Sequence, residues 1–515
     1  MVIMIRLWRI HRFRPLATAI VVVLVLPGRD TAAADWSVVP ALRLRESYSD
    51  NVSLAPPAQA TGDFISEIAP SISILGNGPR LKLNLAFTVQ KLIYQRQPDV
   101  SEHQLQATAN AALLEDWLFV DLHGSIAQRN VSAFGPQALD NIPRAGNRST
   151  VSADSVSPYM LHHFRGLATA EMRYTHSAVS SDDGVLSAKT DGYLLKLSGD
   201  TRGHGWNWGA SVERSTTKDP RLDDVRMSRA ALTLNVPLSS KLALFGSVGR
   251  ENQGYVSATQ TEPSGRYWSL GTGWYPSTRT SVVVSGGKRF FGNTYSFDAS
   301  HRGRHTTWSL GYSEDITSTP GQFTHLSGGD TANLLNQLWS TSIPDPLLRQ
   351  QQVDAFLRFS QLLGPDVGAV NYFSHSYYLQ KQLSLNMLAG MHKSTLLLGL
   401  TSTRRTAQTS SAIDSVLLPA TTLGLDDRTR QTGLNVAWNW RMSARDSFAA
   451  SAAYSTVNSL TLARKDTNLV YSASLNHTFQ PKISGEIDVR RVRHGSTAAD
   501  GYRENAVGAT LVFRF

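Results

Sequence analysis

Apolar and polar residues alternate along most of the chain, and residues 80–90 show the pattern most clearly. The apolar members of that stretch, which fall on one face of an extended strand, are Leu81, Leu83, Leu85, Phe87 and Val89. Residues 432–442 and 483–490 repeat the pattern. A period of two residues predicts half-buried β-strands. Charged residues on the second face need water beside them, so that face of the sheet is expected to contact solvent.

Counting such stretches gives about 22 candidate strands. Their predicted starts are Trp36, Asp63, Arg80, Gln104, Trp117, Ser149, Arg165, Thr190, Gly205, Arg226, Lys241, Gly265, Thr280, Asn293, Arg304, Ser376, Ser394, Arg428, Asp446, Thr467, Lys482 and Arg503. The connections alternate between short ones, such as "GNGP" and "SARD", and long polar ones, such as "QRNVSAFGPQALDNIPRAGNR". Short turns on one rim and long loops on the other are typical of outer-membrane barrels, whose short turns face the periplasm.

The predicted fold class is therefore all-β: a transmembrane, antiparallel, up-and-down β-barrel. With both termini in the periplasm the strand number is even, and 18 to 22 strands agree with the pattern because long hairpins can extend beyond the membrane. Strand signals begin within a few residues of Asp35, which predicts a barrel with no plug domain.

One region breaks the alternation. Residues 316–372 contain Leu335 and Leu338, then Val353 and Phe356, at spacings nearer to those of a helix. They predict a long, partly helical loop that either caps the barrel or folds into its lumen. Long ordered loops are often functional.

Tryptophans gather beside the predicted short turns. Indole rings collect at membrane interfaces because the ring is apolar and its N–H is polar. An interface girdle on the periplasmic rim is therefore predicted from Trp117, Trp206, Trp208, Trp274, Trp438 and Trp440.

The chain stops inside an alternating stretch, residues 507–515. A last strand of a soluble β-sandwich would explain it, but the rest of the pattern favours the closing strand of a barrel. Its apolar residues Leu511, Phe513 and Phe515 match the terminal signal that the barrel-assembly machinery reads in bacterial outer-membrane proteins.

Residues 1–34 have the order of a secretory signal peptide. Arg6, Arg9, Arg12 and Arg14 precede an apolar run that is too short to span a bilayer, and "TAAA" supplies small residues up to Ala34. Cleavage is expected there, which leaves residues 35–515 as a single barrel in the outer membrane of a Gram-negative bacterium.

Composition narrows the function further. The chain has no cysteine, which excludes cysteine-based metal sites and nucleophiles. Removing residues 1–34 lowers the net charge from +10 to +6, and the basic residues are scattered, so no nucleic-acid partner is expected. After residue 34 no apolar run approaches eighteen residues, so no transmembrane helix is predicted. A transmembrane barrel gives the same result, because its strands alternate lipid-facing and lumen-facing residues.

No constellation indicates catalysis, a cofactor or a metal, and the protein is predicted not to be an enzyme. The pairs His162–His163 and His301–His305 lack a third ligand nearby in sequence. Asp219, Asp223 and Asp224 do not have the spacing of an EF-hand loop and are better explained as a solvated loop. Glu486 and Asp488 are neighbouring carboxylates, but Arg490 follows on the same face, which favours a ladder of lumen charges.

Conduction is the mechanism that the pattern supports. Polar side chains on the inner wall offer hydrogen bonds to a polyhydroxylated chain, and lumen charges tune selectivity. The residues predicted to face the lumen are Arg43, Arg45, Lys82, Asn84, Arg441, Glu486, Asp488, Arg490 and Arg514.

The first ninety residues after residue 34 resemble a known family. The residues that carry the resemblance are Trp36, Pro40, Glu46, Tyr48, Asp50, Asn51 and Val52, then Pro70, Gly78 and Arg80. They are similar to outer-membrane proteins encoded beside PEP-CTERM/exosortase exopolysaccharide loci. The resemblance implies a porin-like barrel that serves exopolysaccharide production or export. It implies as partners a polysaccharide chain and a periplasmic export protein, besides outer-membrane lipid and, during biogenesis, the assembly machinery.

Two other functions remain open. A general diffusion porin for small solutes needs the same barrel, and a narrow constriction would favour it. An outer-membrane enzyme acting on lipid or polysaccharide would need a converged catalytic site on one rim.

Overall fold

A computed structural model describes residues 35–199, 205–257, 263–324, 373–410, 414 and 424–515. Within these residues, 22 strands form one antiparallel sheet, and each strand pairs with the next along the chain. The first and last strands also pair, from Ala41 with Arg514 to Ser49 with Ala506. The sheet therefore closes on itself, and closure removes the unpaired edges that a membrane would not tolerate.

The strands are β1 Asp35–Ser49, β2 Asp63–Asn77, β3 Leu81–Tyr94, β4 Val100–Leu114, β5 Leu118–Asn130, β6 Arg148–Phe164, β7 Ala168–Ser181, β8 Ser187–Gly199, β9 Asn207–Lys218, β10 Val225–Pro237, β11 Leu242–Gln253, β12 Ser264–Ser277, β13 Thr280–Arg289, β14 Gly292–Arg302, β15 Thr306–Ser318, β16 Tyr377–Met391, β17 Ser394–Ala407, β18 Arg428–Arg441, β19 Asp446–Ser459, β20 Lys465–Gln480, β21 Ile483–Ser496 and β22 Tyr502–Arg514. A 3₁₀ turn spans Pro57–Gln59, and a short helix, α1, spans Thr319–Thr324.

The predicted starts of the strands lie within about four residues of the observed ones, because turn residues interrupt the alternation where the chain reverses. The irregular region is only partly described. β15 runs to Ser318 and α1 follows it, whereas residues 325–372 lie outside the described residues.

The two faces of the sheet differ in the way the alternation predicts. On β1, Trp36 and Val38 are 42% and 54% exposed, whereas Ser47 and Ser49 are buried. The exposed apolar face continues round the ring through the strand pairing, for example from Ile74 to Leu85. Large apolar side chains on the outside of a closed barrel need lipid beside them, so the outer face is the membrane face.

The short turns and the long loops lie on opposite rims. Trp117, Trp206, Trp274, Trp438 and Trp440 are 36–51% exposed at the short-turn ends of their strands. Trp208 lies on the outer face of β9, opposite the exposed Leu234. None of the helices in the described ranges is long and apolar enough to cross a membrane.

Candidate functional site

The connection between β5 and β6, residues 131–147, folds into the barrel. We call it the lumen loop. Its Gly135 N–H donates to Asp466 on β20 at 2.9 Å, and its Gln137 N–H donates to the Tyr502 hydroxyl on β22 at 3.0 Å. Counted round the ring through β1, strand β20 is seven strands from β5. The loop therefore reaches across the lumen on the long-loop side.

A buried ion network fastens the lumen loop to β21 and β22. Arg490 donates to Asp140 at 2.6 Å and to Glu504 at 2.9 Å, and Ser49 donates to the same Glu504 oxygen at 2.9 Å. The side chains of Arg490 and Glu504 are 9% and 1% exposed. Burial raises the pKa of Asp140, but Arg490 and Arg45 outweigh it and hold that pKa below its usual value. The loop is thus held by a carboxylate that stays charged.

Neutral hydrogen bonds fasten the other side of the loop. The Tyr94 hydroxyl on β3 donates to the Ile142 carbonyl at 2.8 Å, and Asn141 donates to Gln90 at 2.7 Å. The Arg144 N–H donates to the Val52 carbonyl at 2.7 Å.

Apolar side chains complete the attachment of the lumen loop. Phe134 is 4% exposed and packs with Leu425 and Val457. Leu139 packs against a cluster that includes Tyr502. These contacts give the loop a fixed place in the lumen rather than a solvated path over the rim.

A second segment, residues 373–376 just before β16, lies against the lumen loop. We call it the crossing segment. The Phe373 N–H donates to the Val131 carbonyl at 2.7 Å, and the Phe373 ring packs with Val151 and Val179 on β6 and β7. Since β16 lies nine or ten strands from β7 and β6, this segment also spans the lumen.

His375 in the crossing segment lies between two carboxylates from different loops. Its Nε2 is 3.2 Å from Asp219, and its Nδ1 is 3.5 Å from Asp414. Asp414 also accepts hydrogen bonds from the Ser374 hydroxyl and the His375 N–H, both at 2.7 Å. Burial lowers the pKa of His375, but the two carboxylates outweigh it and raise that pKa to about 9. At neutral pH the imidazolium therefore joins three loops.

Together, the lumen loop, the crossing segment and Asp414 form what we call the inner lid. On the short-turn side of the lid, the inner wall of β6–β12 lines a recess of about 1040 Å³. His163, Lys196, Asn207, Asn235 and Phe245 line it. Phe164 and Trp208 also line it, so the recess combines hydrogen-bonding groups with aromatic rings.

The structure places all nine residues predicted to face the lumen on the inner face, as the strand pairing shows. Arg43 pairs with Glu67 at 2.5 Å and Arg45 with Asp488 at 2.8 Å, whereas Arg490 belongs to the network that holds the lid. The exposed members are Lys82, Asn84, Arg441 and Arg514. Their part in selectivity remains a prediction.

The other candidate groups lie apart from the lid, with one exception. His162 makes edge-to-face ring contacts with Trp117 and Phe164 at a short turn, and His301 contacts Thr280 and Trp308. Asp219 lies beside His375. Among the described residues, no group of three or more His, Asp or Glu side chains is placed to hold a metal ion.

The sequence predicted a lid-like element in residues 316–372 and missed the lumen loop. A signal was present, because Phe134, Leu139 and Ile142 are apolar residues within a long polar connection. Solvated loops have no use for such side chains, which need a surface to pack on.

Comparisons with known proteins show the fold. No protein-family model and no curated protein matches the chain. The FrpB iron transporter from Neisseria meningitidis, F5-1 variant in its apoprotein form, matches with a TM-score of 0.50 at 10% identity, over 93% of this chain and 81% of that one. The siderophore receptor PirA from Pseudomonas aeruginosa matches with a TM-score of 0.44 at 10% identity, over 93% and 80%. OccK2 (OpdF) from Pseudomonas aeruginosa has a TM-score of 0.35 at 7% identity, over 93% and 98%.

The likeness to the FrpB barrel corrects the predicted fold class. The prediction of a barrel with no plug domain is wrong as a statement of fold, because the structural neighbours are TonB-dependent receptors with plug domains, and the described residues do not show that a plug is absent. The position of the first strand does not determine what fills a lumen. Any connection can fold inside, as the lumen loop does.

The closed, all-β, antiparallel barrel of 22 strands stands. Its fold is that of Gram-negative outer-membrane transport barrels. The signal peptide predicted for residues 1–34 lies outside the described residues.

Proposed function

We propose that the protein is an outer-membrane conduit that passes an exopolysaccharide chain through its barrel, with the inner lid as its gate. The inner lid is the observation that carries the proposal. A barrel of 22 strands encloses a lumen wide enough to leak unless something fills it. A conduit for a long chain must therefore close at rest and open on demand.

The chemistry of the wall supports a carbohydrate cargo. Serine hydroxyls hydrogen-bond in pairs across neighbouring strands on the inner face, at 2.6–2.8 Å; the pairs are Ser247–Ser269, Ser281–Ser300, Ser285–Ser296 and Ser451–Ser472. Hydroxyl groups exchange hydrogen bonds with a polyhydroxylated chain without holding it tightly. The resemblance of residues 36–80 to proteins of exopolysaccharide loci supports the same cargo.

Deleting the gene tests the proposal. Polysaccharide should still be made but should accumulate in the periplasm, and its surface amount should recover when the wild-type gene is returned. A full surface layer in the deletion strain, with changed uptake of small solutes, would contradict export.

A general diffusion porin is the second candidate, and the lid is also the observation that favours it. The lid lies across the lumen, and the inner wall on its short-turn side lines a recess of about 1040 Å³, a volume that suits a small solute better than a polymer at rest. Uptake of radiolabelled monosaccharides into cells distinguishes the two candidate functions. Uptake should fall in the deletion strain if the protein is a diffusion porin and should stay unchanged if it exports polysaccharide.

A further inference from the structure

Basic residues collect on the outer, membrane-facing surface near the long-loop rim. Two arcs of consecutive strands carry seven exposed Lys or Arg side chains each. On β8–β13 they are Lys189, Arg214, Lys218, Arg226, Arg250, Arg266 and Lys288. On β17–β22 they are Arg404, Arg428, Arg430, Lys465, Arg491, Arg493 and Arg503. Strand pairing connects each of them to the exposed apolar face.

Four cross-strand pairs in these arcs join two basic residues directly opposite each other. They are Lys189–Lys218, Arg250–Arg266, Arg404–Arg430 and Arg493–Arg503. Cβ atoms of such pairs lie about 4.5–5.5 Å apart, and like charges at that distance destabilise a sheet. A sequence that repeats an unfavourable pair four times points to a compensating anion.

The barrel supplies few compensating charges on this face. Within the described residues none of the fourteen basic side chains takes part in an ion pair of the kind that Arg43 or Arg490 makes. Asp191 shares the outer face of β8, but it already accepts hydrogen bonds from Tyr174 and contacts His176 at 2.8 Å. Asp50 lies near Arg491 on the same face but already accepts hydrogen bonds from Asn505. Among the described residues the outer face therefore offers little countercharge to these basic pairs, which favours an anion from outside the chain.

The height of the basic arcs on the barrel identifies the source as lipid. Directly beneath Arg250 and Arg266 lies the exposed apolar pair Val248–Trp268, and the tryptophan Trp274 lies eight residues along β12 from Arg266. Eight residues of a tilted strand rise about 20 Å, close to the height of the apolar band of an outer-membrane barrel. This basic pair thus lies where acyl chains end and headgroups begin.

We propose that the two arcs bind phosphate-bearing glycolipid of the outer leaflet. Guanidinium groups match phosphate oxygens in charge and geometry. Each like-charged pair would hold one phosphate between its two side chains. The tryptophans near the short turns, together with the basic arcs near the long-loop rim, would also fix the barrel at one depth in an asymmetric membrane.

Native mass spectrometry of the purified barrel tests this proposal. The probes are phosphatidylcholine nanodiscs containing either a diphosphorylated glucosamine glycolipid or its phosphate-free form. The variants are Arg250→Gln with Arg266→Gln, and Arg493→Gln with Arg503→Gln. The matched control is Lys241→Gln with Arg279→Gln, two exposed basic residues at short turns.

Wild type and control should retain the phosphorylated lipid, and the phosphate-free form should not be retained. Each double variant should weaken retention about 30-fold per arc, from about two surface basic contacts. In zwitterionic micelles without the phosphorylated glycolipid, the same variants should unfold at a higher temperature than wild type, because the like-charged pair is gone. A cooperative unfolding transition would also show that the variants fold. Equal retention of both lipids, unchanged retention by the variants, or displacement of the lipid by a soluble acidic polysaccharide would overturn the proposal. None of these readouts depends on transport.

Discussion

Replacing Arg490 by glutamine should release the inner lid. Arg490 neutralises Asp140 in the lumen loop and Glu504 in the wall, and its side chain is 9% exposed. Without it, two carboxylates face each other in a buried place. Removing one partner of a buried ion pair costs about 3–5 kcal/mol. Lid release lets water reach both carboxylates, so the ratio of open to closed lid should rise by about 10²–10³-fold or more.

Asp140→Asn should act in the same direction but less strongly. In this variant Arg490 keeps Glu504 as a partner, and only its hydrogen bond to residue 140 weakens. A hydrogen bond to a charged group is worth about 1.5–3 kcal/mol. Arg43→Gln is the matched control. Arg43 also faces the lumen and forms an ion pair, but its partner Glu67 belongs to the wall and not to the lid.

Single-channel recording in planar bilayers measures the effect, with hydrogen exchange of residues 131–147 as a second readout. The open fraction should follow the order Arg490→Gln, then Asp140→Asn, then Arg43→Gln equal to wild type, and faster exchange should accompany opening. Properly folded Arg490→Gln barrels with wild-type conductance and wild-type exchange would refute the role given to this ion network. So would an equal opening by Arg43→Gln.

Three further predictions follow from the same structure. Leu85→Arg places a charge on the lipid face and should destabilise the barrel in lipid by about 2–4 kcal/mol if it lies near the midplane. Ala86→Arg, on the inner face, should not destabilise it. Equal effects of the two substitutions on urea unfolding would show that the register assigned to β3 is wrong. The His375 pKa is raised to about 9 from its usual 6.5, so the contact with Asp219 and Asp414 should stabilise the lid fully below about pH 6.5 and be lost as the pH rises through about 9. Conductance of wild type should therefore rise between pH 7 and 10 and that of His375→Gln should not, and a flat wild-type profile would contradict this. Phe515 is 68% exposed, and its N–H donates to the Pro40 carbonyl at 3.0 Å. Deleting it should lower the amount of heat-modifiable barrel in outer-membrane fractions but leave the conductance of assembled barrels unchanged. Wild-type amounts of barrel with altered conductance would show that Phe515 serves transport rather than assembly.

The barrel itself was predictable because its information is local. The alternation in residues 80–90 determines which side chains face lipid, and turn residues mark where each strand ends. Each strand then pairs with its neighbour in sequence, so no long-range information is needed until β1 meets β22. The apolar pattern of the last strand, in which Phe513 lies opposite Leu42, indicated even that closure.

The lid was not predictable in the same way. Asp140 and Arg490 are 350 positions apart, and nothing near either residue identifies the other. His375 acquires its two carboxylates only because three separate loops meet inside the ring. Contacts of this kind depend on which connections turn inward, and that depends on apolar residues such as Phe134 finding partners on distant strands. The outer basic pairs could be recognised only from the register of neighbouring strands, which places their two members opposite each other.

Export through this barrel requires a polysaccharide chain to pass through the lumen once the lid is open. The most direct measurement is current through single Asp140→Asn barrels while defined oligomers of the cell's own exopolysaccharide are added on the short-turn side. Passage of the chain should give transient current blocks whose duration lengthens with the number of sugars in the chain. Free passage of monosaccharides with no blocks from oligomers of any length would contradict it and identify a pore for small solutes.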